Sequence, residues 1–196
     1  MITLLRAADR KAVSWKNGGG VTREIAVFPV GADMTDFAWR LSLAEVEFEG
    51  AFSVFPEVDR VLAVIEGELE LTFDDHTSPM IRDRKAGPLA FPGDAPAYGK
   101  PIGGDVRDLN LMVRREQFMG TLTPFRHAGP IGPTLKEGVT VLVVALSPVV
   151  FNLGEDTIAL ETLDAILIQP WSNTSLPLRC VSGAGYVATM TDLSGS

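Results

Sequence analysis

The chain has 196 residues, two histidines, one cysteine and a net charge of −8, from 17 Lys and Arg against 25 Asp and Glu. That length suits one domain or two small fused ones, the acidic balance argues against a nucleic-acid partner, and the lone Cys180 excludes an internal disulfide and fits a reducing compartment. No apolar run approaches the ~20 residues of a membrane-crossing helix, and Met1 to Arg6 is too short and too soon charged for a signal peptide, so a cytoplasmic protein without membrane partners is expected.

In chain order the elements read as short strands between frequent Gly and Pro turns. Thr22 to Val27 reads as a strand following Gly18-Gly19-Gly20. Phe37 to Ala44 alternates, with Phe37, Trp39, Leu41 and Leu43 on one face and Ala38, Arg40, Ser42 and Ala44 on the other. Val61 to Ile65 is apolar on both faces. Glu66-Gly67-Glu68 turns the chain into a second alternating run through Leu69, Leu71 and Phe73. Val106 to Arg114 sets Leu109, Leu111 and Val113 against Asp108, Asn110 and Met112. Arg114 to Leu122 is the one stretch that reads as helical. Beyond it, Val139 to Leu146, Asp156 to Leu160, Ala165 to Ile168 and Gly185 to Met190 are further strands. The Pro/Gly-rich segment from His127 to Lys136 is the expected seam. It divides an N-terminal barrel (residues 1–126, with a ligand pocket) from a smaller C-terminal one (127–196). No internal sequence repeat is evident. The pattern predicts an all-β fold of sandwich or barrel type.

Candidate chemistry is sparse. His76 and His127 both fall in polar turns, and a metal site on imidazole ligands needs more histidines than this. No metal and no cofactor are therefore expected. Trp15-Lys16-Asn17-Gly18-Gly19-Gly20 has its lysine before the glycines and a strand after them, the wrong order for a phosphate loop. It is either a turn with positive backbone angles or a loop that hangs Lys16 and Asn17 over a barrel mouth. The polar faces carrying Arg40 and Ser42, and Asp108, Asn110 and Met112, oppose strongly apolar faces. In a two-layer barrel the apolar sets pack between sheets, which turns the polar sets toward a lumen. There Arg40 would hold a carboxylate through its planar fork. Asp59 and Arg60 adjoin a strand start, and Phe55-Pro56 could wall the pocket. No Gly-x-Ser-x-Gly turn is present, and Cys180 reads as a buried, inert thiol.

Five blocks in order resemble the HutD family, also called Ves: Trp15 to Ile25; Phe37-x-Trp39-Arg40-Leu41-Ser42-x-Ala44; Phe52-Ser53-x-Phe55-Pro56-x-x-Asp59-Arg60 with Glu66-Gly67; Phe91-Pro92-Gly93-Asp94; and Gly103-Gly104 through Asp108-x-Asn110-Leu111-Met112-x-Arg114-Arg115. The resemblance implies a bicupin, two cupin (double-stranded β-helix) barrels in one chain, the first carrying a polar pocket. It also implies an accessory or regulatory link to histidine degradation, with a small carboxylate such as urocanate or an N-formyl or formimino glutamate as ligand. The sequence departs from the family pattern at Ala51 and at Glu57, where a glycine is usual. The expected ligand-binding set is Lys16, Asn17, Glu24, Arg40, Ser42, Phe55, Asp59, Arg60, Asp108, Asn110 and Met112. Two other readings stand beside it. One is a metal-independent isomerase or hydrolase with Glu24 or Asp108 as general base. The other is a protein-interaction module, with a homodimer through strand edges as the natural partner.

Overall fold

The structure is a computed structural model that describes residues 1–15, 18–74, 78–133, 135, 137–169 and 177–194. Lys16, Asn17 and His76 lie outside the described residues. The chain begins with β1 (Ile2–Leu5) and a short 3-10 turn (Ala7–Asp9), then β2 (Ala12–Ser14), β3 (Gly20–Phe28), β4 (Trp39–Val46) and β5 (Gly50–Ala51). It continues through β6 (Val58–Glu66), β7 (Glu68–Phe73), β8 (Met80–Asp83), β9 (Leu89–Pro92), β10 (Ala97–Pro101) and β11 (Val106–Arg114). Then come β12 (Phe118–Phe125), β13 (Gly129–Pro130), β14 (Val139–Ala145), β15 (Val149–Leu153) and β16 (Asp156–Leu160). The last are β17 (Ala165–Ile168), β18 (Leu178–Ser182) and β19 (Gly185–Asp192). Among the described residues no helix is long and apolar enough to cross a membrane.

The chain divides into two compact units, a central one over Lys11–Glu116 and a flanking one made of Met1–Arg10 and Gln117–Ser196. The central unit holds a six-stranded sheet of order β2-β3-β4-β11-β6-β9 and a four-stranded sheet of order β5-β10-β7-β8. The flanking unit holds β12-β19-β14-β17-β1 and β13-β18-β15-β16. Adding eight to each strand number turns β4-β11-β6-β9 into β12-β19-β14-β17, and β5-β10-β7-β8 into β13-β18-β15-β16. Each unit is thus the same antiparallel two-sheet jelly roll of the cupin type, and the chain is all-β as its alternation predicts.

Two expectations are corrected. Arg114 to Leu122 is not helical. It comprises the end of β11, a turn, and β12, which runs in register with β19 from Phe118↔Asp192 to Phe125↔Gly185. Its helix-favouring residues are overridden by that ladder, since strand pairing supplies backbone hydrogen bonds the short segment could not hold alone. The division between units falls at Glu116/Gln117, upstream of the expected seam at 126/127, and residues 1–10 belong with the C-terminal half. The cause is pairing again: β12 lies beside β19, while β1 adds to β17 with Ile2↔Ile168 through Leu5↔Ala165. The strap after β1 is pinned by Asp164, whose carboxylate accepts from Arg6 Nη1 (2.7 Å) and from the Ala7 amide (2.8 Å).

The two barrels are filled differently. In the flanking unit the inner faces of β14, β15, β17 and β18 supply Val141, Val143, Phe151, Ile166, Leu178 and Cys180 to one apolar cluster. In the central unit an apolar cluster of Leu62, Leu69, Leu71, Phe73 and Phe91 fills only part of the barrel. The rest is a cavity of about 540 Å³.

Candidate functional site

The cavity follows from side-chain alternation on three neighbouring strands. In register, Arg40, Ser42 and Ala44 of β4 lie opposite Met112, Asn110 and Asp108 of β11. These lie opposite Arg60, Leu62 and Val64 of β6. Cross-strand partners share a face, so this polar set points inward while Leu41, Leu43, Leu109 and Leu111 bury the other side. Arg40, Ser42, Phe55, Arg60, Asp108, Asn110 and Met112 all line the cavity, joined by Val13, Ser14, Trp15, Thr22, Met34, Ala44, Ala51, Phe52 and Ser53.

Arg60 is the buried cation of the site, 6% exposed. Its guanidinium lies 5.2 Å from the ring centres of both Phe52 and Phe91, an arrangement that favours a cation over aromatic faces. Its hydrogen bonds are long: Nε donates to Asn110 Oδ1 at 3.4 Å and Nη1 to the Ser53 carbonyl at 3.5 Å. Burial draws its pKa down to about 10, with the nearby Asp108 pulling the other way, so it stays charged at neutral pH. Asp108 is 2% exposed, and among the described residues nothing donates a hydrogen bond to its carboxyl. Burial pushes it up to about 7 against the opposing charge of Arg60.

Arg40 sits differently. Its Nε donates to Glu24 Oε2 at 2.9 Å and its Nη1 to Met34 Sδ at 3.0 Å. Glu24 itself is half exposed, stands on β3 beside a bulge, and is absent from the cavity lining. Asp59 is also outside the cavity: one step along β6 from Arg60, it faces the other way and accepts from Arg115 Nε at 2.8 Å. Arg115 joins it to Asp94 at 2.6 Å, a surface cluster at the loop ends. His127 is exposed on a loop. Among the described residues no three His, Cys, Asp or Glu side chains gather as metal ligands.

Of the aromatic wall, only Phe55 was legible in the sequence; Trp15 and Phe52 were not. Trp15 donates from Nε1 to Thr22 Oγ1 (2.7 Å) and meets Phe52 edge-on, with ring centres 6.4 Å apart. Phe55 meets Phe37 in the same way at 6.4 Å. Gly18 and Gly20 answer to the backbone: Gly18 has φ +71°, and a Cβ on Gly20 would collide with the Glu45 carbonyl oxygen. Their neighbour Trp15 lines the cavity.

Known proteins agree with this architecture. The family model described as HutD matches residues 7–184. An uncharacterized 21.2 kDa protein in the hutC 3' region of Pseudomonas putida is 36% identical over 125 residues, 63% of this chain and 64% of its own length. The protein Ves of Citrobacter koseri is 36% identical over 104 residues, 53% of each chain. The chain therefore spans between half and two thirds of these relatives' lengths. A structure of HutD from Pseudomonas fluorescens SBW25, in a formate condition, shares 30% identity at TM-score 0.82, covering 98% of this chain and 99% of that one.

Proposed function

The chain belongs to the HutD family, and on that premise we propose that its central barrel binds a small carboxylate, without a metal, in an accessory or regulatory role in histidine breakdown. The observation that carries this reading is Arg60: a guanidinium buried in a cavity, backed by two aromatic rings and held by two long hydrogen bonds. A buried cation short of a full counter-charge is costly. Asp108 offsets it incompletely, because its own burial favours the neutral acid. A carboxylate ligand would supply the missing charge and the planar two-oxygen acceptor that a guanidinium fork fits. The location of the P. putida relative in a hutC region supports ligands of the urocanate and N-formyl or formimino glutamate kind. The mixed lining, polar on β4 and β11 with Trp15, Phe52 and Phe55 around it, suits an acid with an apolar or planar body.

The test is calorimetric titration of purified, metal-stripped protein with trans-urocanate, N-formyl-L-glutamate and formimino-L-glutamate, with the matching amides as controls. Arg60→Gln is expected to weaken binding about 100-fold, equal to about 2.7 kcal/mol, while circular dichroism shows an unchanged fold. Arg40→Ala, whose guanidinium already pairs with Glu24, is expected to weaken it less. Equal affinity for acid and amide, or a blank with folded protein, overturns the reading; the blank turns the search toward protein partners. The burial of Asp108 beside Arg60 favours one second reading, a metal-independent isomerase or hydrolase with Asp108 as the base. The same incubations, followed chromatographically for loss of the acid, decide between binding and turnover.

A further inference from the structure

This inference rests on the carboxylate-binding reading and concerns what Asp108 does when the ligand arrives. The inner surface around it is sparsely charged. Its cross-strand partners are Ala44 on β4 and Val64 on β6, and its nearest inner-face neighbour on β11 is Asn110. On β3, Thr22 stands beyond Ala44 in the same register. Among the described residues that line the cavity the only charged side chains are Arg40, Arg60 and Asp108. Arg40 is engaged by Glu24, so among the described lining residues Arg60 is the one cation left to balance both Asp108 and an incoming carboxylate.

Two carboxylates cannot both stay ionised around one buried guanidinium. Like charges at close range in a medium of low polarisability repel strongly, and such a pair keeps a shared proton. The Asp108 carboxyl accepts no hydrogen bond from the described residues, so among them only the charge of Arg60 opposes its protonation, and a ligand carboxylate on Arg60 offsets that charge. A neutral carboxyl is also a donor, and a hydrogen bond from an acid to a carboxylate is among the strong kind.

We propose that Asp108 binds the ligand in its acid form, donating a hydrogen bond to the carboxylate that Arg60 holds, so that each ligand bound above neutral pH brings one proton into the site. The proton comes from the buffer. Among the described residues, with Arg40 paired to Glu24, the filled site then holds the Arg60 guanidinium, one negative ligand carboxylate and one neutral carboxyl, and these charges balance. Asp108 thereby acts as a specificity residue. It favours an ionised acid over a neutral amide, because only the acid presents a charged acceptor to both Arg60 and the Asp108 proton.

The experiment is calorimetry at pH 8.0 with trans-urocanate and with N-formyl-L-glutamate, each in phosphate and in Tris, buffers that release protons with different heats. The wild-type protein is expected to take up close to one proton per ligand, and its Kd to rise about tenfold per pH unit above neutrality. Asp108→Asn keeps a donor at this position. It is expected to bind with no proton uptake and with affinity independent of pH. Measurable binding without proton uptake by the wild type overturns the proposal, as does unchanged uptake in Asp108→Asn. If that variant does not fold, carbon-13 titration of the Asp108 carboxyl in the wild type replaces it. Its midpoint must rise on adding ligand, and a fall overturns the proposal. No binding of either acid to the wild type refutes the carboxylate reading itself, a result distinct from binding without a proton.

Discussion

Asp108 stands where burial and function pull against each other. A carboxyl whose pKa is near 3.8 when unfolded and pushed to about 7 when folded binds its proton more tightly in the native state. Stability from this group is therefore complete below pH 3.8, declines as pH rises toward 7, and is level above that. The shift corresponds to a loss of up to about 4 kcal/mol. The expectation is that ligand-free Asp108→Asn is more stable than wild type at pH 8, with the gap closing by pH 4, as read by urea unfolding at both pH values. A wild type equally stable to the variant at pH 8 contradicts it. Part of this site was legible from alternation alone, since Arg40 with Ser42, and Asp108 with Asn110 and Met112, follow a two-residue period. What alternation could not decide was which of the adjacent Asp59 and Arg60 faces inward. That depends on β6 lying between β11 and β9. Nor could it show Phe52 and Phe91 flanking Arg60, because those rings come from separate segments whose meeting is a tertiary fact.

At the scale of elements, the loop before β6 carries a local strain. Glu57 has φ +62°, the left-handed region that a Cβ disfavours. It is the position where the family resemblance leads one to expect glycine. The surrounding bonds hold it there: the Glu57 amide donates to Asp94 Oδ1 at 2.9 Å, and its carbonyl accepts from the Arg115 amide at 2.9 Å. Glu57→Gly keeps both backbone groups and relieves the strain, at some cost in unfolded-chain entropy. A net gain of about 0.5–1 kcal/mol is expected in chemical denaturation. Long alternating strands such as β4, β6 and β11 could be read from sequence because one face of each is buried and apolar. The two-residue β5 and β13 could not, since pairing alone defines them. β12 misled because local helix propensity there opposes a long-range ladder.

For the whole molecule, the eight-strand repeat gives two copies of one topology different inner faces. Where the central barrel turns Arg60, Asp108 and Asn110 inward, the flanking barrel has Val141 and Val143 on the inner face of β14, with Thr189 opposite Val141. The repeat is invisible in the sequence because topology constrains which positions face inward, not which residues occupy them. Stability and ligand binding should separate accordingly. Phe151→Ala, which removes a fully buried ring from the apolar cluster of the flanking unit, is expected to cost about 3–5 kcal/mol. Phe55→Ala, at a half-buried position on the cavity wall, is expected to cost about 1 kcal/mol while weakening the ligand several-fold. Paired thermal melts and titrations check both. The placement of β1 has a further consequence, for the order of events at the ribosome. β1 completes the sheet of the flanking unit, and its partner Ala165–Ile168 is translated only after the whole of Lys11–Glu116. Domains fold as units while the chain grows, so the central barrel can close early, while β1 waits through that whole interval for the strand it pairs with.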